Sequence, residues 1–214
     1  MFGVNVDPLN PLGAPTVDQL SHIGCRWVRL VSRPGVEQYV TDIQAGGLMV
    51  LAVVARESNG YVFGGPDVWQ FGNEPDVTSE ASWTMSASEY AANFNFYQAT
   101  YPQLIWIAAG LASGQTSYWQ QVALQGLNNV TGFAVHPYAK TAPQARTLLQ
   151  AYQRITPNLP CWATEWNRPA EEIPAFASML RQTVAMSCWF CWSDGMVPGF
   201  GLTDSISRQL NAAS

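Results

Sequence analysis

Charged side chains are scarce in this chain, since Asp, Glu, Lys and Arg make up 12% of its 214 residues and the formal net charge is −5. Nucleic-acid binding requires a basic stripe or patch, and an anionic membrane surface requires clustered Lys and Arg. We therefore expect no nucleic-acid partner and no attachment to such a surface. No apolar run reaches the roughly 18 residues that a spanning helix needs, so membrane insertion is not expected either.

Metal-ligand patterns are also sparse. The chain has two histidines, His22 and His136, whereas a metal-dependent barrel hydrolase would need a His-x-His pair after the first strand and further ligands. Cys188 and Cys191 form a C-x-x-C, but no second pair or nearby histidine completes a zinc site. We predict no metal and no cofactor, and buried free thiols at the four cysteines.

The beginning of the chain, MFGVNVDP, lacks the basic segment and long apolar segment of a secretory signal. The sequence also fits a mature or excised domain, so location stays open. Hydrophobic residues make up 48% of the chain, enough for a substantial core. No linker, low-complexity segment or charge block divides it, and we expect one domain over 1–214.

The chain shows an alternation of strand and helix patterns. Strands are expected at 2–7, 27–31, 48–55, 67–74, 104–110, 130–138, 160–166 and 188–194. A helix pattern follows each strand except the third, where the stretch RESNGYVFGGP is too rich in glycine. This order predicts an α/β fold, a compact (β/α)8 barrel with a curtailed third unit. The alternative is an open doubly wound sheet, but its phosphate-loop glycine motif is missing.

Polar side chains collect where the predicted strands end. Active sites of (β/α)8 barrels lie at this carboxyl-terminal edge, and the strand bodies before these residues are almost wholly apolar. The candidate site residues are Asn5, Asp7, Arg29, Asn73, Glu74, His136, Tyr138, Glu165, Trp192 and Asp194.

Alternation along the strands indicates which side chains face the barrel axis. On strand seven it places Glu165 inward with Ala163 and Cys161, and Trp162 outward toward the helices. The fourth and sixth strands give a similar division, with small or polar residues inward and large apolar residues outward. The pattern favours a site inside the barrel mouth over ordinary loop carboxylates.

Glu74 and Glu165 end strands four and seven, which lie on opposite sides of a narrow barrel. Two carboxyls facing each other there would be roughly 5 Å apart, the spacing used in retaining glycoside hydrolysis. In that chemistry one carboxyl protonates the departing oxygen and the other attacks the anomeric carbon.

The motifs around these two acids resemble glycoside hydrolase clan A. The segment WQFGNEPD is similar to the clan's strand-four motif, and WATEWN to its strand-seven motif. Arg29 stands where the clan has an arginine ending strand two, and His136 and Tyr138 resemble its strand-six His-x-Tyr. Trp192 matches the strand-eight tryptophan that floors the first sugar subsite. The family within the clan is not resolved by these motifs.

The resemblance implies a role for each matched residue. Glu74 would be the acid/base and Glu165 the nucleophile, while Asn73 would bind the sugar 2-hydroxyl. Arg29 and Tyr138 would keep Glu165 ionised, because a cation and a donor both favour a carboxylate.

Several matched positions carry a less specific signal. His136 would contact Glu74. Plainer structural roles also fit Arg29, His136 and Trp192. The third strand lacks the polar aromatic residue that many clan members have, and Arg56 or Glu57 is the candidate replacement.

The expected function is a retaining glycoside hydrolase acting on a β-linked polysaccharide or oligosaccharide. Short βα loops predict an open cleft, which favours internal cleavage of a polymer. The alternative is a non-catalytic glycan-binding or structural barrel module of a larger cell-wall-associated or phage-type assembly. The presence of both carboxylates favours the enzyme.

Overall fold

Eight parallel strands close into a barrel in chain order in the computed structural model, which describes residues 1–78 and 83–213. Each strand pairs with its neighbours in sequence, and β1 pairs with β8. The predicted (β/α)8 fold is confirmed. The strands β1 to β8 span Phe2–Asn5, Trp27–Val31, Met49–Val54, Val68–Phe71, Trp106–Leu111, Gly132–Val135, Cys161–Trp166 and Met186–Trp189.

Helices follow every strand but the third. Residues 55–67 contain a single 3₁₀ turn, Arg56–Ser58, so the curtailed third unit is also confirmed. No helix in the described ranges combines the length and the apolar composition needed to cross a membrane. The helices α1 to α7 span Val17–His22, Glu37–Ala45, Ala87–Thr100, Thr116–Gln125, Ala142–Ile155, Ile173–Thr183 and Asp204–Ala213.

The start of α3 shows how local sequence sets the helix limits. The Ser86 side chain accepts a hydrogen bond from the Glu89 amide, and the Glu89 carboxylate accepts one from the Ser86 amide. This capping box satisfies two donors that a helix N-terminus leaves without partners. The spacing Ser-x-x-Glu in the sequence predicts this start.

The core has two parts, one inside the barrel and one between the strands and the helices. The larger outer layer packs apolar side chains of every strand against the helices. In the interior, Trp162 packs edge-on against Trp27, with ring centroids 5.5 Å apart. The other members of the inner cluster are Leu51, Val68, Ile107, Ala134, Met186 and Cys188.

The predicted phase of β7 is wrong. Cys161 and Ala163 face the outer layer and Trp162 faces the interior, opposite to the expected arrangement. Ala163 pairs with Ser187, but Trp166 pairs with Trp189, so β7 has one more residue than β8 over this interval. The extra residue is a β-bulge, which reverses the side-chain phase. Because of this bulge, Cys161 faces the outer layer while Glu165, on the same strand, faces the barrel mouth.

The eighth strand also differs from the prediction, since it spans Met186–Trp189 instead of 188–194. Regular pairing ends at Trp189, although the Phe190 amide still donates to the Trp166 carbonyl of β7. The Cys191 amide donates to the Phe200 carbonyl, and the Trp192 amide donates to the Asn5 carbonyl. The aromatic run CWFCW thus continues from a strand into a loop.

All four cysteines are buried free thiols, as the sequence predicts. Burial raises the pKa of the Cys25 thiol to about 12, and it raises the pKa of Cys161 and Cys188 above the ordinary range. In the unfolded chain each thiol ionises near a pKa of about 8.5. The unfolded state therefore releases protons above that pH while the folded state keeps them.

We expect this difference to weaken the fold at alkaline pH. A raised native pKa gives its full stabilisation below the unfolded pKa, and the contribution is lost as the pH rises toward the native pKa. The free energy of unfolding should fall by about 1.4 kcal/mol per pH unit for each buried thiol above about pH 9. Urea unfolding at several pH values between about 8 and 10.5 measures this slope.

The Cys161→Ala variant is the control for this prediction. Loss of the side chain lowers stability at every pH, but removal of one titrating group should make the alkaline slope smaller by about 1.4 kcal/mol per pH unit. An unchanged slope would show that Cys161 does not contribute to the pH dependence.

Candidate active site

Glu74 lies just beyond the carboxyl end of β4, in a tight bend. Gly72 (φ 85) and Glu74 (φ 51) both have left-handed backbone conformations. A Cβ on Gly72 would lie 2.9 Å from the Tyr90 ring, so this position needs glycine for both conformation and space. The Glu74 amide donates to the Gly110 carbonyl at 3.0 Å, which ties the bend to β5. This strained backbone places Glu74 at the wall of the central cavity.

Glu165 is positioned by the bulge in β7. Its side chain is directed to the barrel mouth and the residue is 6% exposed. The Asn5 side-chain amide supports this segment from β1, because its Nδ2 donates to the Thr164 carbonyl at 3.0 Å and to the Trp189 carbonyl at 3.1 Å. Asn5 therefore connects β1, β7 and β8 beneath the carboxylate.

The two acids meet across the barrel, with His136 between them. One carboxylate oxygen of Glu74, one of Glu165 and one ring nitrogen of His136 lie within 4.8 Å of one another. His136 Nδ1 is 3.2 Å from Glu74 Oε1, and its Nε2 is 3.6 Å from Glu165 Oε1. A Cβ on Gly110 would lie 3.0 Å from His136 Nε2, so the absence of a side chain there admits the ring.

Arg29 organises the polar groups below the cavity. Its Nη1 donates to Glu165 Oε1 at 2.6 Å and to Asn5 Oδ1 at 2.5 Å. Its Nη2 donates to Asn73 Oδ1 at 2.7 Å, and its Nε donates to Gln70 Oε1 at 3.2 Å. The planar guanidinium thus holds three side chains from other strands, and Asn73 from the bend after β4, in fixed positions.

Tyr138 completes the environment of Glu165. Its hydroxyl donates to Glu165 Oε2 at 2.9 Å. Removal of this hydroxyl from water and the neighbouring negative charge of Glu165 raise the pKa of Tyr138 above its ordinary value. The residue as a whole is 44% exposed, so the ring borders the cavity opening while its protonated hydroxyl serves Glu165.

The two carboxylates therefore have different surroundings. Glu165 receives a guanidinium hydrogen bond and a phenol hydrogen bond, and its side chain is 8% exposed. Glu74 lies against the imidazole of His136, and its side chain is 19% exposed. Donors and a cation stabilise a negative charge on Glu165. A pair of acids in unequal environments is suited to separate roles in one reaction.

A cavity of about 590 Å³ opens above these groups. Asp7, one of the predicted site residues, lines it and forms an ion pair with Arg33. Glu57 also lines the cavity, whereas Arg56 does not, so of the two candidates at strand three only Glu57 reaches it. The opposite wall is apolar and is formed by Phe190, Met196, Val197 and Phe200.

Two predicted site residues lie elsewhere. Trp192 lines a separate cavity beside α1, and Asp194 is an exposed loop residue whose carboxylate accepts a hydrogen bond from the Gly201 amide. Both residues follow the last residue of β8, Trp189, and although the Trp192 amide still binds the Asn5 carbonyl of β1, the Trp192 residue borders α1. Phe190 lines the central cavity instead, and the Phe190–Cys191 peptide bond is cis.

Gln70, Arg33 and Phe190 are site residues that the sequence interpretation missed. Gln70 is fully buried and lies between Arg29 and the Gly72 carbonyl, to which its Nε2 donates at 2.7 Å. A polar residue inside the otherwise apolar run VWQF was the available signal for Gln70. For Phe190 the signal was the boundary of the last strand, which the aromatic composition obscures.

Glu74, His136 and Glu165 also form a group that could coordinate a metal ion. The Arg29 guanidinium lies 2.6 Å from Glu165 Oε1, and its positive charge opposes a cation at that carboxylate. The arrangement therefore fits a carboxylate pair for acid–base chemistry better than a metal centre.

Comparisons with known proteins give similarity in structure only. No protein-family model matches the sequence, and no curated protein matches it. The structure is similar to that of a GH30 endoxylanase from Clostridium papyrosolvens C71, with a TM-score of 0.67, 13% identity, and coverage of 98% of this chain and 70% of the enzyme.

Two proteins from Cryptococcus neoformans are also similar. One is a GH128 subgroup VII oligosaccharide-binding protein, with a TM-score of 0.70, 15% identity, and coverage of 99% of this chain and 92% of that protein. The other is a GH128 subgroup V exo-β-1,3-glucanase, with a TM-score of 0.64, 16% identity, and coverage of 88% and 84%. The chain thus shares the closed (β/α)8 fold of these carbohydrate-active proteins over nearly its whole length.

Proposed function

We propose that this protein is a retaining glycoside hydrolase that cleaves a β-linked glycan, with Glu165 as nucleophile and Glu74 as acid/base. The observation that carries this proposal is the approach of the two carboxylates within 4.8 Å. Retaining enzymes have their carboxyl groups about 5–5.5 Å apart, whereas inverting enzymes need about 6.5–9.5 Å to admit a water. The glycoside hydrolase fold of the structural neighbours supports the same reaction class.

In the first step a Glu165 oxygen attacks the anomeric carbon and the bond to the leaving oxygen breaks. Glu74, as the carboxylic acid, transfers its proton to that oxygen, so the first product leaves as an alcohol. Arg29 and Tyr138 hold Glu165 by its two oxygens, which aims the nucleophile and stabilises its charge before the attack.

In the second step water attacks the anomeric carbon of the glycosyl ester. Glu74, now a carboxylate, accepts a proton from this water, and the ester bond to Glu165 breaks. Both carboxyls return to their initial states. His136, which contacts Glu74 Oε1, holds this acid in one orientation during both transfers.

The cavity supplies groups for the sugar. Asn73 lines it, and Arg29 fixes the Asn73 amide by binding its oxygen, which suits a contact with the sugar 2-hydroxyl. Phe190 takes the place that the resemblance assigned to Trp192, as an apolar surface beneath the ring. Phe200 packs edge-on against Phe190 with centroids 5.9 Å apart and extends that surface.

We further propose that the enzyme cleaves within a polymer. The connections that follow β2, β5, β6 and β7 are short, since they cover only residues 32–36, 112–115, 136–141 and 167–169, so few residues rise around these parts of the cavity. A low wall lets a chain extend past the catalytic pair in both directions. Endo-action therefore follows more readily than removal of single terminal sugars.

A glycan-binding role without turnover is the second candidate. It is favoured by the similarity to an oligosaccharide-binding protein with 92% of its length covered. The complete carboxylate pair distinguishes the two, since binding alone does not require acids at this distance. An assay for cleavage of polysaccharides separates these two functions.

The test is incubation with a panel of β-linked plant, fungal and bacterial cell-wall polysaccharides. We expect one polymer to yield oligosaccharides of several lengths by mass spectrometry, because internal cleavage produces mixed sizes. Proton NMR during the first minutes should show the new reducing end in the β configuration, because two displacements at one carbon restore the starting configuration.

Each outcome has a separate meaning. An α-configured initial product would contradict the retaining mechanism, and single sugars as the first product would contradict endo-action. Binding to a polymer without any cleavage, under conditions in which commercial hydrolases degrade the panel, would favour the glycan-binding function.

A further inference from the structure

A second cavity, of about 810 Å³, lies beside the catalytic one. It is bounded by α1, the loop that follows β8, and α7. The described lining residues are Asp18, Gln19, His22, Ile23, Trp192, Ser193, Leu202, Ser207 and Arg208. None of them lines the catalytic cavity.

The chemistry of this lining suits an uncharged ligand rich in hydroxyl groups. Trp192, Ile23 and Leu202 provide apolar surface, and the remaining residues are polar. Asp18 and Arg208 carry opposite charges, which disfavours a strongly anionic or cationic ligand. Carboxylate, guanidinium, amide and hydroxyl groups together offer both donors and acceptors, and a sugar hydroxyl uses both.

The backbone of Trp192 is fixed by two hydrogen bonds to distant segments. Its amide donates to the Asn5 carbonyl at 3.0 Å, and its carbonyl accepts from the Leu202 amide at 3.1 Å. Its side chain is half-buried against the outer core while it borders the cavity. A half-buried aromatic side chain at the border of a polar-lined cavity offers apolar surface on which a pyranose ring can stack.

The two cavities are lined by neighbouring parts of the chain. Phe190 lines the catalytic cavity and Trp192, two residues later, lines the second one. Asn5, whose carbonyl binds the Trp192 amide, belongs to the catalytic cavity through its side chain. A polymer bound at one cavity is therefore kept close to the other.

We propose that the cavity around Trp192 is a second saccharide-binding site, which holds a neutral polysaccharide next to the catalytic cavity without taking part in bond cleavage. This inference rests on the proposed function for the identity of the ligand. It requires that Trp192 contribute to polymer affinity and leave the chemistry at the carboxylate pair unaffected.

The test compares the Trp192→Ala and Arg208→Ala variants with the parent protein by affinity electrophoresis in gels that contain each soluble polysaccharide of the panel. We expect the affinity for the bound polymer to fall about tenfold in Trp192→Ala, equivalent to about 1.4 kcal/mol, and severalfold in Arg208→Ala. The kcat/KM for a short activated aryl glycoside should change less than about twofold, since the proposal places only the polymer, and no part of a short substrate, in this cavity.

The control is Arg154→Ala, which removes an exposed arginine from a groove on α5 that contains no aromatic side chain. Its polymer affinity should equal that of the parent. If Trp192→Ala fails to fold, Arg208→Ala and Asp18→Ala carry the test, because both positions are exposed.

Unchanged polymer affinity in the folded variants overturns the proposal, as does a parent protein that binds no polymer. A parallel loss of aryl glycoside turnover also overturns it, because Trp192 would then serve the catalytic cavity. Electrophoresis reports binding independently of turnover. Failure of the second site is therefore distinguishable from failure of the proposed hydrolase, which is scored by aryl glycoside and polymer cleavage.

Discussion

The Glu165→Gln variant is expected to lose at least about four orders of magnitude in kcat on the substrate that the parent cleaves. An amide oxygen is a poor nucleophile toward an anomeric carbon, so the glycosyl ester cannot form. The variant should still bind the substrate, because the side chain keeps nearly the same shape. Initial rates, with substrate affinity measured by calorimetry, separate the loss of chemistry from a loss of binding.

Stability must be followed in the same variant. Glu165→Gln leaves the buried Arg29 guanidinium without its anion, and breaking a buried ion pair costs about 3–5 kcal/mol. Glu165→Asp is the matched variant, because it keeps the charge beside Arg29 and retracts the carboxylate by one methylene. It should be more stable than Glu165→Gln and still lose about 10²-fold or more in rate from misplacement.

A surface substitution completes the comparison. Glu171→Gln changes an exposed carboxylate on the segment after β7 and should retain parental activity. If Glu165→Gln is folded and cleaves the substrate within tenfold of the parental rate, Glu165 is not the nucleophile. The proposed double displacement through Glu165 would then be wrong.

The Glu74→Ala variant is expected to lose about 10²–10⁴-fold in activity on the polymer, the usual range for removal of a general acid. The loss should be much smaller for the first step with an aryl glycoside whose phenol leaves readily, because that departure needs no proton. The second step stays slow since no base activates water. The glycosyl-enzyme should therefore accumulate and show as an added sugar mass on the intact protein.

Azide distinguishes the two acids by the product that it forms. In Glu74→Ala, azide attacks the glycosyl ester, the bond to Glu165 breaks, and a β-glycosyl azide results. This step needs no general base, because azide carries no proton that must be removed. In a Glu165→Ala variant, azide displaces the aryl group directly, and the product is the α-glycosyl azide. The configuration of the azide product, read by NMR, thus assigns nucleophile and acid/base independently of the size of the rate loss.

The opposite pair of configurations would reverse the assignment. No azide product from either variant, with both folded and able to bind the aryl glycoside, would contradict a covalent route through either carboxylate. The parent protein with azide is the control and should give the hydrolysis product, because Glu74 activates water in preference to a nucleophile that carries a negative charge.

Much of the barrel was predictable because each βα unit carries its own local signals. The run LMVLAVVA is apolar throughout, which is typical of a strand buried on both faces, and it contains β3. The Ser86 and Glu89 spacing predicts the start of α3, and the glycine-rich stretch after β3 predicts the missing helix. These features depend on a few neighbouring residues, so they can be predicted without knowledge of the rest of the fold.

Side-chain direction at the ends of strands was less predictable. The bulge in β7 arises from pairing with β8. Between the pairs Ala163–Ser187 and Trp166–Trp189, β7 has one residue more than β8. Alternation within β7 alone assigns Glu165 to the same face as Ala163, and the structure separates them. The end of β8 depends likewise on amide contacts with Asn5 and Phe200, which lie far away in sequence.

The sequence by itself determined the order of strands and helices, the shortened third unit, and the presence of an acid after β4 and another on β7. Only the tertiary structure decided that Glu74 and Glu165 lie within 4.8 Å of each other, that Phe190 borders them, and that Trp192 belongs to a second cavity. The physical reason is that periodicity and capping act over a few residues. Register, bulges and strand ends are instead set by hydrogen bonds between segments distant in the chain.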